Sequence, residues 1–117
     1  MPVHIFLTVA DVSRSLGFYR EWMGFGAEDR RFSDGTVFIR DGEGTDLALR
    51  EGPWAPSPDD TFHFGFRRDS PEAVRELHAR LVLAGVDIFE FEDDARVVTV
   101  KVRDPDGYCV EVYWEAG

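Results

Sequence analysis

Val3-His4-Ile5-Phe6-Leu7-Thr8-Val9 begins the chain with β-branched and aromatic residues, and Phe62-His63-Phe64-Gly65-Phe66 begins a second run of the same kind. Such runs read as strands. Each plants one histidine among apolar neighbours, with His63 lying 59 residues after His4. The segments behind the two strands repeat as well. Behind the first, Asp11 and Ser13 offer helix N-caps, and Leu16, Phe18, Tyr19, Trp22 and Met23 make an apolar helical face. Gly24 is placed to end that helix in a left-handed cap. Behind the second, Ser70 caps, Pro71 takes the first helical position, and Val74, Leu77, Leu81, Leu83 and Ala84 supply the face. Gly85 stops it, 61 residues after Gly24.

Three short strands are expected after each helix, near 26–32, 36–41 and 46–50, then near 86–91, 96–103 and 108–114. Ser33-Asp34-Gly35, Asp41-Gly42-Glu43-Gly44 and Asp104-Pro105-Asp106-Gly107 supply turns between them. The expected fold class is α+β: two β-α-β-β-β modules, about 2–51 and 61–115, in a single domain spanning 1–117. Residues 52–60 hold three of the six prolines and read as the linker. Each module is an incomplete cup, so pairing of modules is expected to enclose a cavity.

Composition narrows the partners. The net charge of -10 argues against nucleic acid and anionic membranes. No apolar run reaches the length of a membrane span, and the first strand begins at once, so neither a membrane segment nor a signal peptide is expected. Cys109 is the single cysteine, which rules out an internal disulfide, and a cytoplasmic location is the expectation.

Strand alternation sorts the polar residues onto faces. His4, Phe6 and Thr8 share one side of the first strand; His63 and Gly65 lie opposite Phe62, Phe64 and Phe66. In Tyr108-Cys109-Val110-Glu111-Val112-Tyr113, Glu111 shares its side with Cys109 and Tyr113, opposite Val110, Val112 and Trp114. Two imidazoles and a carboxylate are a common way to hold a divalent metal with positions left open. Read singly, a strand histidine is more often hydrogen-bonded or solvated than a ligand, and Glu111 can instead pair with Lys101 or Arg96. His78, among Arg75, Glu76 and Arg80, reads as a solvated helix residue, and Cys109 as a small core filler.

The stretch His4 to Asp11, followed by Ser15-Leu16-Gly17-Phe18-Tyr19 and Met23-Gly24-Phe25, resembles the opening of the vicinal oxygen chelate superfamily, which includes glyoxalase I, bleomycin-resistance proteins, fosfomycin-resistance enzymes and extradiol dioxygenases. Asp104 to Glu111 resembles the same family's terminal hairpin, so the likeness covers about residues 3–114. The resemblance implies curved mixed sheets around a cleft, with His4, His63 and Glu111 as metal ligands and, in a homodimer, sites shared between subunits. It also has departures. Ala48 stands where glyoxalase I places a fourth ligand, and Phe6 and Glu115 stand where fosfomycin enzymes resemble one another in a threonine and a basic residue.

These residues together support a metal-dependent enzyme of glyoxalase-like lyase or isomerase type, with dioxygenase or thiol transferase chemistry as variants. Its substrate would be a small molecule that chelates one divalent ion (iron, zinc, manganese, nickel or cobalt) through adjacent oxygens. Glu111 and Lys101 are the candidate catalytic residues; Phe6, Phe38, Trp54, Thr99 and Tyr113 are the candidate substrate contacts. The alternative is a bleomycin-resistance-like protein that sequesters a drug or metabolite against Phe6, Phe38, Trp54 and Tyr113 without catalysis.

Overall fold

A computed structural model describes residues 3–53 and 62–117. The chain divides into two compact units, Met1–Ala55 and Pro56–Gly117. In the first, the order is β1 (Val3–Val9), α1 (Val12–Trp22), β2 (Arg30–Arg31), β3 (Val37–Arg40) and β4 (Thr45–Glu51). In the second it is β5 (His63–Arg67), α2 (Pro71–Ala84), β6 (Ile88–Asp93), β7 (Val97–Arg103) and β8 (Cys109–Glu115). Each unit forms one four-stranded mixed sheet, ordered β1-β4-β3-β2 in the first and β5-β8-β7-β6 in the second. The first and last strands of a unit run parallel, and the other pairs antiparallel. The α+β class and the two-module plan are therefore as expected from the sequence.

Local chemistry sets the boundaries. Asp11 accepts from the Arg14 N–H at 3.1 Å and Ser70 from the Ala73 N–H at 3.2 Å, so each helix starts on a side-chain cap. Gly85 at φ +70° ends α2, its N–H reaching back to the carbonyls of Leu81 and Val82. The two β-hairpins that precede the final strands are built alike. Asp104 Oδ1 accepts from the N–H groups of Asp106 and Tyr108, both at 2.9 Å. Asp41 Oδ1 accepts from those of Glu43 and Thr45 at 3.0 and 2.8 Å.

One side of each sheet is apolar and faces its helix. Leu7, Val9, Val37, Ile39, Leu47 and Leu49 are buried in the first unit, where α1 packs on β4. Phe66, Val98, Val100, Val102, Val110 and Val112 are buried in the second, where α2 packs on β7 and β8. Full burial of a Val, Leu, Ile or Phe side chain is worth about 1.5–3 kcal/mol, so these rows dominate the stability of each unit.

Three expectations need correction. The strand expected over 26–32 shrinks to Arg30–Arg31. The Arg20 guanidinium takes the carbonyls of Gly26 and Ala27 at 3.0 and 2.8 Å, which are then held by a side chain rather than a neighbouring strand. On α2, Leu83 is 89% exposed and Ala84 is also exposed. At about 100° per residue Leu83 lies about 180° round from Val74, whereas Leu77 and Leu81 stay on the Val74 side. His78 is half-buried rather than solvated, its ring stacked on Phe91 with centroids 3.6 Å apart. Among the described residues, no helix is long and apolar enough to cross a membrane.

Candidate functional site

The second unit brings its two expected ligands together. β5 and β8 pair in parallel with Gly65 beside Glu111, which puts His63 and Glu111 on the same side of neighbouring strands. His63 Nε2 lies 3.3 Å from Glu111 Oε1. Two donors bound to one cation at about 2.1 Å, and about 90–109° apart, would themselves be separated by about 3.0–3.4 Å. The pair is thus spaced as two ligands of one ion, and the imidazole–carboxylate donor set suits a divalent transition metal.

Gly65 makes this possible. A Cβ built there would stand 3.2 Å from both the Glu111 Cβ and the Glu111 carbonyl oxygen, and 3.4 Å from Oε1. A side chain at this position would press on the Glu111 Cβ and backbone and touch the carboxylate. The other carboxylate oxygen, Oε2, accepts from the Thr99 hydroxyl at 2.5 Å. Thr99 is 5% exposed, so its hydroxyl is buried against the carboxylate and leaves Oε1 turned to His63. Orientation of a ligand by an outer hydrogen bond is a common property of metal centres.

Lys101 stands directly opposite Glu111 in the β7–β8 register, but its ammonium pairs with Glu90 Oε2 at 3.6 Å, on the other neighbouring strand. The Lys101 side chain is only 12% exposed. Tyr113 is half-buried beside Thr99 in the same register. Cys109 is buried in the core.

His4 belongs to the first unit. Its ring stacks on Phe38 with centroids 5.6 Å apart, and Asp46 is its register partner on β4. The Asp46 carboxyl is held below its usual pKa, first by a hydrogen bond from Arg40 at 2.8 Å and further by the charges of Arg40, Arg30 and His4. Phe6 is 43% exposed beneath the Arg50 guanidinium, which lies 5.1 Å from the ring centroid. Ala48 lies between Phe6 and Phe38 in register and is fully buried. Trp54 lies outside the described residues. Taken by itself, neither unit gathers three His, Cys, Asp or Glu side chains that could hold a metal among its described residues.

Gly65, Glu90 and Arg30 are neighbours that the sequence alone does not single out as site residues. Gly65 carries a signal, a small residue two positions after a strand histidine. Glu90 and Arg30 carry none without the strand register.

Comparison with known proteins agrees with this architecture. The family model described as the Glyoxalase/Bleomycin resistance protein/Dioxygenase superfamily matches residues 2–112. A solved structure of a possible glyoxalase from Bacillus cereus is similar at 30% identity, with 96% of each chain covered and a TM-score of 0.77. A lactoylglutathione lyase from Agrobacterium tumefaciens shares the fold at 22% identity, covering 97% of this chain and 92% of that one, with a TM-score of 0.74. A genomically encoded fosfomycin resistance protein from Listeria monocytogenes shares it at 19% identity, covering 99% and 93%, with a TM-score of 0.78. No curated protein matches the sequence.

Proposed function

From the premise that this chain belongs to the Glyoxalase/Bleomycin resistance protein/Dioxygenase superfamily, we propose that it is a metal-dependent enzyme of lyase or isomerase type, acting on a small molecule with adjacent oxygens. The observation that carries the proposal is the His63–Glu111 pair, spaced at 3.3 Å over a glycine that leaves the carboxylate room. His4 is the third ligand in this reading, on the family resemblance. Iron, zinc, manganese, nickel and cobalt all accept such a set. A homodimer with sites shared between subunits and a cytoplasmic location belong to the same proposal.

When bound, the cation supplies a Lewis acid that stabilises negative charge forming between two substrate oxygens. The residues of the chain do the remaining work. Glu111 presents Oε1 while Thr99 holds Oε2, which orients the carboxylate. Ala48 contributes no fourth side-chain ligand, so a substrate binding through two atoms would take positions that no side chain fills. Lys101, held by Glu90, serves as a proton donor or an anchor for developing charge. Phe6, Phe38 and Tyr113 provide apolar contact with the substrate, as does Trp54 in the same proposal.

Metal analysis of protein purified without chelator tests this reading. The native chain should carry about one divalent ion per chain, and Glu111→Ala should lose more than about 100-fold in affinity, beyond the loss of an outer-shell partner. If both proteins are equally metal-free and both bind a planar drug-like cation, the protein sequesters rather than catalyses.

A further inference from the structure

Three arginines come from three strands to one face of the first sheet. Alternation and register place Arg50 beside Thr8, Arg40 beside Asp46, and Arg30 beside Phe38, all on the side that carries His4 and Phe6. The acid on that side of these strands is Asp46, and it is matched by Arg40 at 2.8 Å. In a chain of net charge -10, the strand residues of this face carry three arginines to one acid.

Arg30 differs from the other two. Arg40 is paired, and Arg50 lies 3.4 Å from Asp34 with both side chains well exposed. Among the described residues, the Arg30 guanidinium enters no ion pair and rests over the Phe38 ring at 5.0 Å from its centroid. The opposite face of that row is apolar, so the guanidinium is positioned by a ring without its donors being taken. Beside it runs a groove of about 370 Å³ whose lining includes Arg30, Phe38, Ile39, Arg40 and Asp46. That volume lies in the range of small-molecule sites.

Arg30 contributes to the depressed pKa of Asp46 through its charge, but among the described residues no acid of the groove stands within ion-pair distance of it. Asp29 is bridged by Arg20 at 3.1 Å and Arg31 at 3.2 Å. Asp41 turns one oxygen into its own hairpin, and the other is buried beyond a ligand's reach. Glu28 is exposed to solvent. The groove therefore offers one accessible planar cation with a full set of donors beside an apolar ring.

We infer that the molecule this protein acts on is a small organic anion, and that Arg30 takes its carboxylate or phosphonate in the groove along Phe38. The inference rests on the preceding reading for what happens to the ligand, but anion capture by Arg30 needs no metal. A bidentate guanidinium contact is geometrically selective, so lysine is a poor replacement.

Benzoate and phenylphosphonate, with benzamidine as a cation of matched size, are the probes. Each is titrated into metal-stripped native protein while the arginine Nε–H resonances are followed by NMR. Both anions should shift the Arg30 Nε–H signal saturably, with weaker binding at higher salt, and benzamidine should not. Arg30→Met keeps the apolar stem and should weaken both anions about tenfold; Arg30→Lys should recover only part of that loss. Tighter binding of benzamidine than benzoate, or an Arg30→Met variant indistinguishable from native, overturns the inference. Metal uptake is measured separately on the same proteins. Anion binding that depends on Arg30 without metal uptake removes the enzyme reading and leaves this one; metal uptake with no anion binding does the reverse.

Discussion

Phe6, Ala48, Phe38 and Arg30 form one row across the first sheet, and Gly65, Glu111, Lys101 and Glu90 form the matching row across the second. The two rows occupy corresponding strands in the same order, yet the chemistry is inverted. Where the second row opens with a glycine and a carboxylate, the first has a phenylalanine and a methyl group. Where the second sets a lysine between two acids, the first ends in an arginine over an aromatic ring. The repeated plan fixes where side chains stand; substitution within the row decides which half presents a carboxylate and which presents an aromatic wall and a cation. The glycine leaves Glu111 clearance, since a Cβ there would stand 3.2 Å from the Glu111 Cβ and carbonyl oxygen and push them by a few tenths of an ångström.

The largest effect should come from forcing one row to copy the other. Ala48→Glu places a carboxylate at a fully buried position between Phe6 and Phe38. The cost should be about 2–3 kcal/mol in urea unfolding, the range for a buried polar group without partners. Phe6→Gly alone should cost less, since the ring is only partly covered. The double variant should recover at least about 1 kcal/mol relative to the sum, because the glycine recreates the clearance that Gly65 gives Glu111. Strict additivity in that cycle would mean that the glycine and the carboxylate are not a matched pair.

A smaller effect tests the outer contact that only the second row has. Thr99→Val keeps the shape and removes the hydroxyl donated to Glu111 Oε2. Divalent metal affinity should fall about tenfold while the melting temperature stays close to native. An unchanged affinity would reduce Thr99 to a packing residue.

Much of this arrangement is legible in the sequence, for a physical reason. Caps such as Asp11, Ser70 and Gly85 act within a few residues of themselves, so the helices can be found with their ends. Alternation needs no partner either: His63 opposite Phe64 and Phe66, and Glu111 opposite Val110 and Val112, come from a period of two. Long-range choices are hidden. Nothing near residues 26–29 announces that Arg20, on the preceding helix, will take their carbonyls and shorten the strand. Thr99 reaches Glu111 diagonally, two positions off its own register partner Tyr113, which requires the hairpin alignment to be known. Lys101 has two acidic register neighbours, and its ion pair with Glu90 needs the β6–β7 alignment to be seen. Arg30, Arg40 and Arg50 look unrelated in sequence, and only the order of β2, β3 and β4 lines them up.

The smallest predicted effect separates two arginine–aspartate pairs in different surroundings. Hydrogen bonds from Arg40 and Arg75 depress the carboxyl pKa of Asp46 and Asp93 respectively, with the guanidinium charge adding to each. A carboxyl depressed in the folded state contributes stability that is present above its unfolded pKa of about 3.9 and is lost as pH falls through the folded value. Melts recorded downward from pH 5 should therefore be slightly steeper for native protein than for Asp46→Asn or Asp93→Asn, by less than about 3 °C, as expected of exposed pairs. The two variants should part company in anion binding at neutral pH. Asp46→Asn frees Arg40 on the face that carries Arg30, and benzoate should bind about two- to fivefold more tightly. Asp93→Asn removes one partner of Arg75 on α2, which keeps Glu72 at 3.7 Å, and benzoate binding should not change. Equal responses from the two would show that the anion feels only the total charge of the protein, and the arginine-bearing face of the first sheet would lose its claim to selectivity.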